Sequence, residues 1–352
     1  MKKVDYYSLI DFENSPGVAN KLLNTVEAFE KVGYKSKSSF FSLSISGGFK
    51  MLAAALKTEA EFVFFRYSLI FSPLLFFIIC FLRLKGKKVI VDVPTPRCVV
   101  AREILNTKTL GGYAKYLILL CSGPWVLWPA NRVIQYSKES FWFSFGLKGK
   151  TKKMGNGILV DKLPLSESTL SDEQPIQLVS VALIAYWHGY DRLLRALSKI
   201  DSLHPNKYHL TIAGDGEELE NLKNLTNALS LKNVTFTGML NKQELDQVYS
   251  KAHIGVSSLG LHRKGVFEAA DLKTREYAAR GLMILGSGID VDFTDNPAFR
   301  LTVPCDESIQ PIVDLLSSLR PASFIEKSKI REYAHERLSM EVKVKEMLSG
   351  LS

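Results

Sequence analysis

The sequence predicts an α/β protein made of two doubly wound parallel sheets, and three observations carry this prediction. Short apolar strands alternate with helical segments in two separate blocks of the chain. A polar stretch, LSESTLSDEQP at 165–175, lies between the blocks and is typical of a linker. The length of 352 residues also favours two domains over one. We therefore predict domains at 1–164 and 165–325, and a C-terminal helix at 326–352 that packs back toward the first domain.

The first block contains strands and helices that the hydrophobic pattern identifies directly. We predict strands at 4–10, 61–66 and 88–93, with helices near 19–32, 49–57 and 72–84. Residues 113–135 are apolar and aromatic, and their pattern indicates no particular element. The stretch 144–158 is rich in lysine and glycine, which predicts an exposed loop.

The second block alternates more regularly. It predicts strands at 176–183, 208–214, 234–238, 254–258 and 282–285, with helices near 189–201, 216–229, 241–251 and 270–280. Five strands joined by four crossovers predict one parallel sheet, and the tail from about 323 to 349 is helical. Ligands bind such sheets at the carboxyl ends of the strands, so the loops that follow strands are the candidate site. Two such domains are expected to face each other across a cleft.

One apolar run, residues 68–82, leaves two interpretations open. Its 15 residues carry no charge, but a membrane-spanning helix needs about 20 and Pro73 interrupts the run. It could be a helix buried against the sheet. Alternatively, part of it could rest in a membrane interface beside Arg66 and the RLKGKK segment that follows.

Charge divides the chain into unlike halves. Residues 1–160 contain 23 Lys+Arg and 10 Asp+Glu, a net charge of +13. Residues 161–352 contain 22 Lys+Arg and 26 Asp+Glu, a net charge of −4. A basic half indicates an anionic partner: a nucleic acid, an acidic membrane surface or a phosphorylated substrate; solubility alone is the alternative. The cations are scattered without a recognition motif, which argues against nucleic acid. The four cysteines form no CxxC pair and have no metal spacing, so we expect a reducing compartment and no metal site.

Three loops that follow predicted strands contain glycine. Gly17 opens the helix after the first strand, where a missing side chain lets a ligand approach the helix N-terminus, although the glycine could equally shape the turn. His188 and Gly189 precede a helix in the second block. His188 could donate a hydrogen bond to a phosphate or a sugar hydroxyl, or could simply pack with its neighbours. Gly214 and Gly216 lack the third glycine of a dinucleotide fingerprint, so we predict a tight turn there.

The loop and helix at 257–281 concentrate charge after the strand at 254–258. Two acids lie eight positions apart, Glu268 and Glu276, and four cations lie within 13 residues: Arg263, Lys264, Lys273 and Arg275. Cations at a helix N-terminus are unfavourable by themselves, but together with the amides and dipole they can cradle a diphosphate. The alternative is a solvated loop with surface ion pairs.

These motifs resemble those of the retaining GT-B glycosyltransferases, specifically glycosyltransferase family four. The resemblance covers nearly the whole chain and is strongest over 176–290. Glu268 and Glu276 match the E-x7-E signature, and KTREYAARG, WHGYDRLL, GNGI at 155–158 and VDVPTP resemble further family segments. SLGLHRKG together with LKTREY also resembles a subgroup of bacterial capsular and exopolysaccharide transferases. The implied fold is GT-B, two Rossmann-like doubly wound domains that face a cleft.

The resemblance implies a role for each candidate residue. Glu276 is expected to bind the ribose hydroxyls of a sugar nucleotide, and Glu268 to lie near the donor sugar. Lys273, with Arg263 or Lys264, is expected to hold the diphosphate; His188 and Gly189 belong to the same donor site. Gly17 is expected close to a phosphate or the acceptor, and the backbone of Leu240 to contact the base. Two positions at which many members carry Arg and Lys hold Ala182 and His188 instead.

The implied activity is transfer of a hexosyl unit, with retention, from a nucleotide diphosphate sugar to a glycan acceptor. The donor would be UDP- or GDP-linked, with no cofactor and no metal. The acceptor is expected on a lipid diphosphate carrier in capsule or exopolysaccharide synthesis, which would place the protein in the cytoplasm, peripherally on the anionic inner face of the membrane. Two other hypotheses stay open: a sugar-nucleotide epimerase of the same fold, and a non-catalytic partner subunit that binds glycan or membrane.

Overall fold

The structure, a computed structural model, describes residues 1–11, 16–69, 71–171 and 173–351. They form two compact units, Met1–Leu159 with Met340–Ser352, and Val160–Ser339. The chain thus enters the second unit a few residues before the limit predicted from sequence. The predicted terminal segment 326–352 divides between the units, because only its part from residue 340 onward belongs to the first.

The first unit is a parallel sheet flanked by helices. Over the described residues its strands are β1 Lys3–Ile10, β2 Lys35–Ser42, β3 Phe62–Arg66, β4 Lys88–Val93, β5 Arg132–Gln135 and β6 Thr151–Lys153. They lie in the order β2-β1-β3-β4-β5-β6, and every neighbouring pair is parallel. The helices are α1 Pro16–Lys31, α2 Ile45–Leu56, α3 Ser72–Leu84, α4 Arg97–Asn106, α5 Leu110–Ser122 and α6 Phe141–Ser144.

The second unit repeats this architecture. Its strands are β7 Ile176–Val181, β8 Tyr208–Ala213, β9 Val234–Gly238, β10 Ile254–Val256, β11 Met283–Ser287 and β12 Arg300–Val303. They pair in parallel in the order β12-β11-β10-β7-β8-β9. The helices are α7 Tyr190–Leu203, α8 Leu219–Ala228, α9 Lys242–Lys251, α10 Leu272–Ala279, α11 Gln310–Ser318 and α12 Lys327–Tyr333. The predicted α/β class with two parallel doubly wound sheets is therefore confirmed.

The last helix, α13 Met340–Leu348, returns to the first unit and packs into its core. Strand β3 shows how that core is divided. Phe62 and Phe64 lie in one apolar cluster with α1 and α13, whereas Val63 and Phe65 lie in another with α2 and α3. Successive residues of a strand point to opposite faces, so a continuous apolar run such as FVFF is buried on both sides.

Helix α3 coincides with the helix predicted near 72–84, but it is only half buried. One face packs into the core through Ser72, Leu75, Ile79 and Leu82. The opposite face exposes Leu74, Phe77, Phe81 and Leu84 to solvent. None of the helices in the described part of the chain is both long and apolar enough to cross a membrane.

Several elements escape the sequence pattern for physical reasons. Strand β2 is an edge strand that reads KSKSSFFS, and much of it is accessible to water, so it lacks an apolar run. Strands β6 and β12 have only three and four residues. The prediction of a loop throughout 144–158 is therefore wrong at β6, and the second sheet has six strands over the described residues rather than five.

The polar stretch 165–175, predicted as a linker, is attached to the second unit where the structure describes it. The Ser166 hydroxyl donates to the carbonyls of Ser250 (3.0 Å) and Ala252 (2.9 Å). The Lys327 ammonium donates to the Ser166 carbonyl at 3.0 Å. Serine and lysine here satisfy backbone groups at the ends of secondary structure, a role that composition does not separate from that of a flexible linker.

Candidate functional site

Two loops at the carboxyl edge of the second sheet form the framework of the site. One follows β7 and the other follows β10, and these strands are neighbours in the sheet. The Leu259 amide donates to the His188 carbonyl at 2.8 Å, which joins the loops. Gly189 has φ +64°, and a Cβ there would lie 2.6 Å from the Gly260 nitrogen. Only glycine fits this crossing without forcing the loops apart.

Glycines also bring the loop after β8 against the loop after β7. Gly214 and Gly216 have positive φ, and a Cβ at either would lie about 2 Å from a carbonyl oxygen, that of Ala182 or Ile184. The Ile184 amide donates to the Asp215 carbonyl at 2.6 Å. The predicted tight turn therefore also packs the β8 loop against the β7 loop, and α8 begins only at Leu219.

Three cations lie over three aromatic rings, two in the β7 loop and one at the first residue of α7. Their charged groups stand 3.8–5.6 Å from the ring centroids, in the pairs Arg263–Tyr186, Lys264–Trp187 and Lys273–Tyr190. An aromatic face attracts a cation, so these contacts hold all three beside the β7 loop. The structure thus brings the predicted residues Arg263, Lys264 and Lys273 together with His188 and Gly189.

Arg263 does not serve the site as predicted, because its guanidinium is already saturated. It donates five hydrogen bonds of 2.7–2.9 Å, to the carboxylates of Asp191 and Glu307 and to the Tyr186 carbonyl. Arginine has five N–H groups, so none remains for a diphosphate. The same contacts raise the Arg263 pKa and lower that of Glu307 to about 2. Arg263 therefore fastens the loops after β7, β10 and β12 to one another.

His188 is held as a neutral donor. Its Nδ1 accepts a hydrogen bond from the Ala185 amide at 3.0 Å, which leaves the proton on Nε2. Burial, followed by repulsion from Lys273 and Lys264, lowers the His188 pKa to about 3. The ring stacks on Tyr190 at 5.3 Å between centroids, and the Tyr190 hydroxyl accepts from the Lys273 ammonium at 3.1 Å. The buried Tyr190 thus contacts both the His188 ring and the Lys273 ammonium.

Helix α10 begins at this site without a side-chain cap. Asp271 stands at the N-cap position, but its carboxylate accepts from the hydroxyls of Ser257 (3.2 Å) and Ser258 (3.3 Å) rather than from the first-turn amides. Asp271 is therefore an N-cap by position only. A helix N-terminus that lacks a side-chain acceptor can direct its N–H groups and positive dipole end to an anion.

Arg275, the other cation at the start of α10, is buried in ion pairs that stabilise the fold. Its guanidinium is fully buried and donates to the carboxylates of Asp290 and Asp292, with an Arg275 Nη2–Asp292 distance of 2.6 Å. Of the two cations within 271–275, Lys273 is therefore the one that contacts Tyr190, directly after the β7 loop.

Glu276 lies one turn into α10 with its side chain about a quarter exposed. One carboxylate oxygen accepts from Arg280 at 3.0 Å, and Arg280 also reaches Asp246 at 2.5 Å. The Arg280 guanidinium lies 4.2 Å from the centre of the Tyr249 ring. The carboxylate of Glu276 is thus anchored in place on the exposed side of the helix.

Glu268 lies in the segment just before α10 and is half-buried. A short parallel bridge fixes it: the Ala269 amide donates to the Ile289 carbonyl at 3.0 Å, and the Ile289 amide to the Phe267 carbonyl at 2.8 Å. The backbone at Glu268 is therefore tied to the loop that follows β11, at the same edge of the sheet as the β7 and β10 loops.

The two remaining candidates lie elsewhere. Leu240 follows β9 and lines a groove of about 440 Å³ over β7, β8 and β9, together with Thr237 and Glu244. Gly17 lies in the first unit, in the first turn of α1, and a Cβ there would meet no described atom within 4 Å. Residues 12–15, which belong to the loop predicted to accompany Gly17, lie outside the described residues.

Sequence reasoning missed two residues of this site: Tyr190, which couples His188 to Lys273, and Arg280, which anchors Glu276. The sequence also predicts Asp271 as the N-cap of the helix; the structure confirms its position, but its carboxylate does not bind the first-turn amides. Only the position of Tyr190, directly after the HG pair, was a signal in the sequence. Within the described ranges, no group of three or more His, Cys, Asp or Glu side chains is arranged to hold a metal ion.

Comparison with known proteins relates part of the second unit to one family. Residues 161–287, just over a third of the chain, match the family described as Glycosyl transferases group 1. No curated protein sequence matches the chain. The matched range contains the loops after β7 and β10, with Lys264, Lys273 and both candidate glutamates.

Solved structures resemble the whole chain in fold. Anabaena HepE, in complex with UDP and glucose, has a TM-score of 0.64 at 14% identity, over 99% of this chain and 100% of that one. The lipopolysaccharide outer core galactosyltransferase WaaB has a TM-score of 0.64 at 11% identity, over 99% and 100%. A Rickettsia africae glycosyltransferase has a TM-score of 0.63 at 14% identity, over 99% of both chains. The chain therefore has the GT-B fold, and its residues 161–287 match a glycosyltransferase family.

Proposed function

We propose that this protein is a retaining glycosyltransferase that moves a hexosyl unit from a nucleotide diphosphate sugar to a glycan acceptor. The observation that carries the proposal is the arrangement of Lys273, Lys264 and neutral His188 beside the uncapped start of α10. These are three kinds of diphosphate contact: two ammonium groups, an imidazole N–H and helix amides. They lie within the range that matches the glycosyltransferase family.

Catalysis in this scheme is mainly electrostatic. When the bond between the sugar C1 and the diphosphate breaks, negative charge grows on the leaving oxygen. Lys273 and Lys264 stabilise that charge, and the amides of α10 add to them without having to reorganise. His188 donates its Nε2 proton in a hydrogen bond but keeps it, because its low pKa leaves the ring neutral near pH 7.

The two glutamates and Leu240 would bind the rest of the donor. Glu276, anchored by Arg280, is placed to accept hydrogen bonds from ribose hydroxyls with a carboxylate that cannot swing away. We assign Glu268 to the donor sugar and the backbone near Leu240 to the base. Arg263 is then a positioning residue that keeps the β7 and β10 loops together, since all five of its N–H groups are used.

We propose UDP as the first nucleotide to test, because HepE was solved with UDP and glucose. WaaB is a lipopolysaccharide outer core galactosyltransferase and WaaG acts in lipopolysaccharide biosynthesis. By analogy, the acceptor is a bacterial surface glycan on a lipid diphosphate carrier, for capsule or exopolysaccharide. The enzyme would then work in the cytoplasm, peripherally on the inner face of the membrane. GDP sugars remain the second donor class, and no cofactor or metal is required.

Donor binding provides the first test. In a thermal-shift panel of UDP-, GDP- and dTDP-linked hexoses, we expect one class to raise the melting temperature. Lys273→Met should lower the affinity for that donor on the order of 100-fold, because a charged phosphate contact is lost while the apolar part of the side chain is kept. Lys199→Met, at an exposed lysine of α7, is the matched control. An unchanged donor affinity in Lys273→Met would refute the assigned site.

Product analysis tests the reaction itself. Nucleotide release that depends on an acceptor supports transfer, and an anomeric NMR signal that keeps the donor configuration supports retention. Epimerised nucleotide sugar without acceptor would establish the epimerase instead, and donor binding without turnover on any lipid-linked acceptor would establish a binding subunit. Full activity in EDTA is expected, because lysines and amides carry the diphosphate charge; loss of activity that Mg²⁺ restores would contradict this.

A further inference from the structure

Helix α3 carries two apolar stripes on opposite faces. The buried stripe, 72-75-79-82, packs into the core of the first unit. The second stripe has the same 3-4-3 spacing and is exposed: Leu74, Phe77, Phe81 and Leu84. Residues with this spacing share one side of a helix. A solvated helix normally carries polar residues on that side, so the second stripe is not needed to fold the unit.

Helix α5 has the same construction. Gly112, Leu119 and Ser122 are buried on one side. The other side exposes Leu110, Tyr113, Leu117 and Leu120, again at 3-4-3 spacing. Two helices of 13 residues each therefore present the same exposed apolar pattern.

The short helix α6 adds exposed aromatic rings, Phe141, Trp142 and Phe145. The three helices adjoin. The Ser72 and Ser122 hydroxyls, at one end of α3 and one end of α5, are 2.7 Å apart. Buried Arg97 donates to the Gly123 carbonyl after α5 (2.8 Å) and to the Phe143 carbonyl in α6. We call the exposed residues named above, on α3, α5 and α6, the α3–α5–α6 surface.

The segment that contains this surface is strongly basic. Residues 71–150 hold 12 Lys+Arg and 3 Asp+Glu, a net +9 that equals the net charge of the whole chain. Exposed cations flank the stripes: Arg83 and Lys85 at the end of α3, Lys108 and Lys115 around α5, and Lys138 and Lys148 around α6. The Lys85 ammonium lies 4.4 Å from the centre of the Phe81 ring, so a charge accompanies the apolar stripe.

We propose that the α3–α5–α6 surface docks the protein on an anionic lipid bilayer, with α3 and α5 in the headgroup region. Leucine and aromatic stripes enter the acyl boundary, and the flanking lysines and arginines stay at the phosphates, the arrangement expected for interfacial helices. A 13-residue helix is about 20 Å long, less than the ~30 Å hydrocarbon core, and one side of each helix is held in protein.

Charge complementarity is the reason to choose lipid over a second copy of this chain. Two copies that meet through this surface would oppose like charges, which costs free energy. An anionic bilayer attracts the lysines and arginines instead, and each one near the surface contributes about 1 kcal/mol to the binding free energy. The inference extends the proposed membrane location to a particular surface, and it does not depend on which sugar is transferred.

Vesicle binding of the full chain tests the surface. We expect co-sedimentation with vesicles of equal parts phosphatidylglycerol and phosphatidylcholine, much weaker binding to pure phosphatidylcholine, and a decrease with salt. Phe77→Ser and Leu117→Ser should each weaken binding about tenfold, from lost apolar burial. Lys85→Glu should weaken it more than about fivefold, because an attraction becomes a repulsion. Leu203→Ser and Leu43→Ser, at exposed leucines outside the surface, should bind as the unchanged protein does.

Two further measurements separate the possible outcomes. Thermal shift with the donor sugar should be the same in Phe77→Ser and Leu117→Ser as in the unchanged protein, so failure of the donor site and failure of this surface are distinguishable. No binding of the unchanged protein to anionic vesicles would overturn the proposal. So would a dimer in sedimentation analysis that Phe77→Ser dissociates while vesicle binding persists, since a second copy would then be the occupant.

Discussion

The four cations within residues 263–275 make two different kinds of contact. Arg263 and Arg275 pair with carboxylates that follow other strands, so their charge is used to join loops and to stabilise the fold. Lys264 lies over the Trp187 ring of the β7 loop, and Lys273 over the Tyr190 ring at the start of α7. Arginine suits the buried forked pairs, and lysine, a compact charge on a flexible stem, suits the diphosphate contact proposed above.

His188 gives a prediction about pH. Its pKa of about 3 lies below the ordinary value near 6.5. Between these two pH values His188 is protonated in the unfolded chain and neutral in the folded protein. The stability that His188 contributes is present above pH 6.5 and is lost as pH falls toward 3. Urea unfolding near pH 7 and pH 5 should show that the unfolding free energy of His188→Asn falls about 2 kcal/mol less on acidification than that of the unchanged protein. Asparagine can still accept from the Ala185 amide.

The exposed His204→Asn variant is the control for this experiment, and it should keep the pH dependence of the unchanged protein. An identical loss of stability on acidification in His188→Asn and in the unchanged protein would contradict the neutral, buried state of His188.

At the scale of elements, the site depends on how closely the turns after β7, β8 and β10 approach one another. Backbone meets backbone at Gly189 with Gly260, and at Gly214 and Gly216 with the β7 loop. Such contacts leave no room for a Cβ, so the loops are positioned by the main chain before any side chain acts. The ligand-binding groups then start from fixed points.

Gly189→Ala tests this arrangement. Alanine is strained at φ +64° and its Cβ would lie 2.6 Å from the Gly260 nitrogen, so the two loops must separate. We expect the unfolding free energy to fall by about 2 kcal/mol or more and the donor-induced thermal shift to shrink. Gly17→Ala is the matched control, because nothing described lies near its Cβ, and its stability should change by less than about 0.5 kcal/mol. Equal stability of the two variants would refute the crossing.

At the scale of the molecule, the first unit is completed by the end of the chain. Helix α13 contributes Met340, Val344 and Met347 to the cluster that contains Phe29 and Leu22 of α1. The core of the first unit is therefore not filled until the whole chain is present. This makes the unit's stability sensitive to changes more than 180 residues beyond its other strands and helices.

Val344→Ala measures this contribution. Val344 is fully buried, so the cavity should lower the unfolding free energy of the first unit by about 2 kcal/mol. Val342→Ala, the same change at a half-buried position of α13, should cost less than about 1 kcal/mol. Denaturant unfolding followed by Trp125 and Trp128 fluorescence reports on the first unit. Equal effects of the two substitutions would show that α13 does not complete the core.

Much of the architecture follows from local pattern. The alternation of apolar runs with helical periods predicts many of the strands and helices. It misses the helices α4, α5, α6 and α11 and the strands β2, β5, β6 and β12, which are exposed or have at most four residues. The loops after β7 and β10 could be chosen as the site because parallel strands place their carboxyl ends at one edge. Position 188 and the lysines near 270 were identified on that basis alone.

The sequence by itself determined the two parallel sheets, the basic first half, and the loops that collect glycine and cations, since each depends on residues close together in the chain. Only the tertiary structure decided which of these cations pair with carboxylates and which lie over aromatic rings. Arg263 pairs with Asp191 and Glu307, each more than 40 residues away, and Lys273 donates to Tyr190 across 83 residues. The tertiary structure also leaves one apolar face of α3 and one of α5 exposed to solvent. Pairing and burial depend on what folding brings near, and no local pattern contains that information.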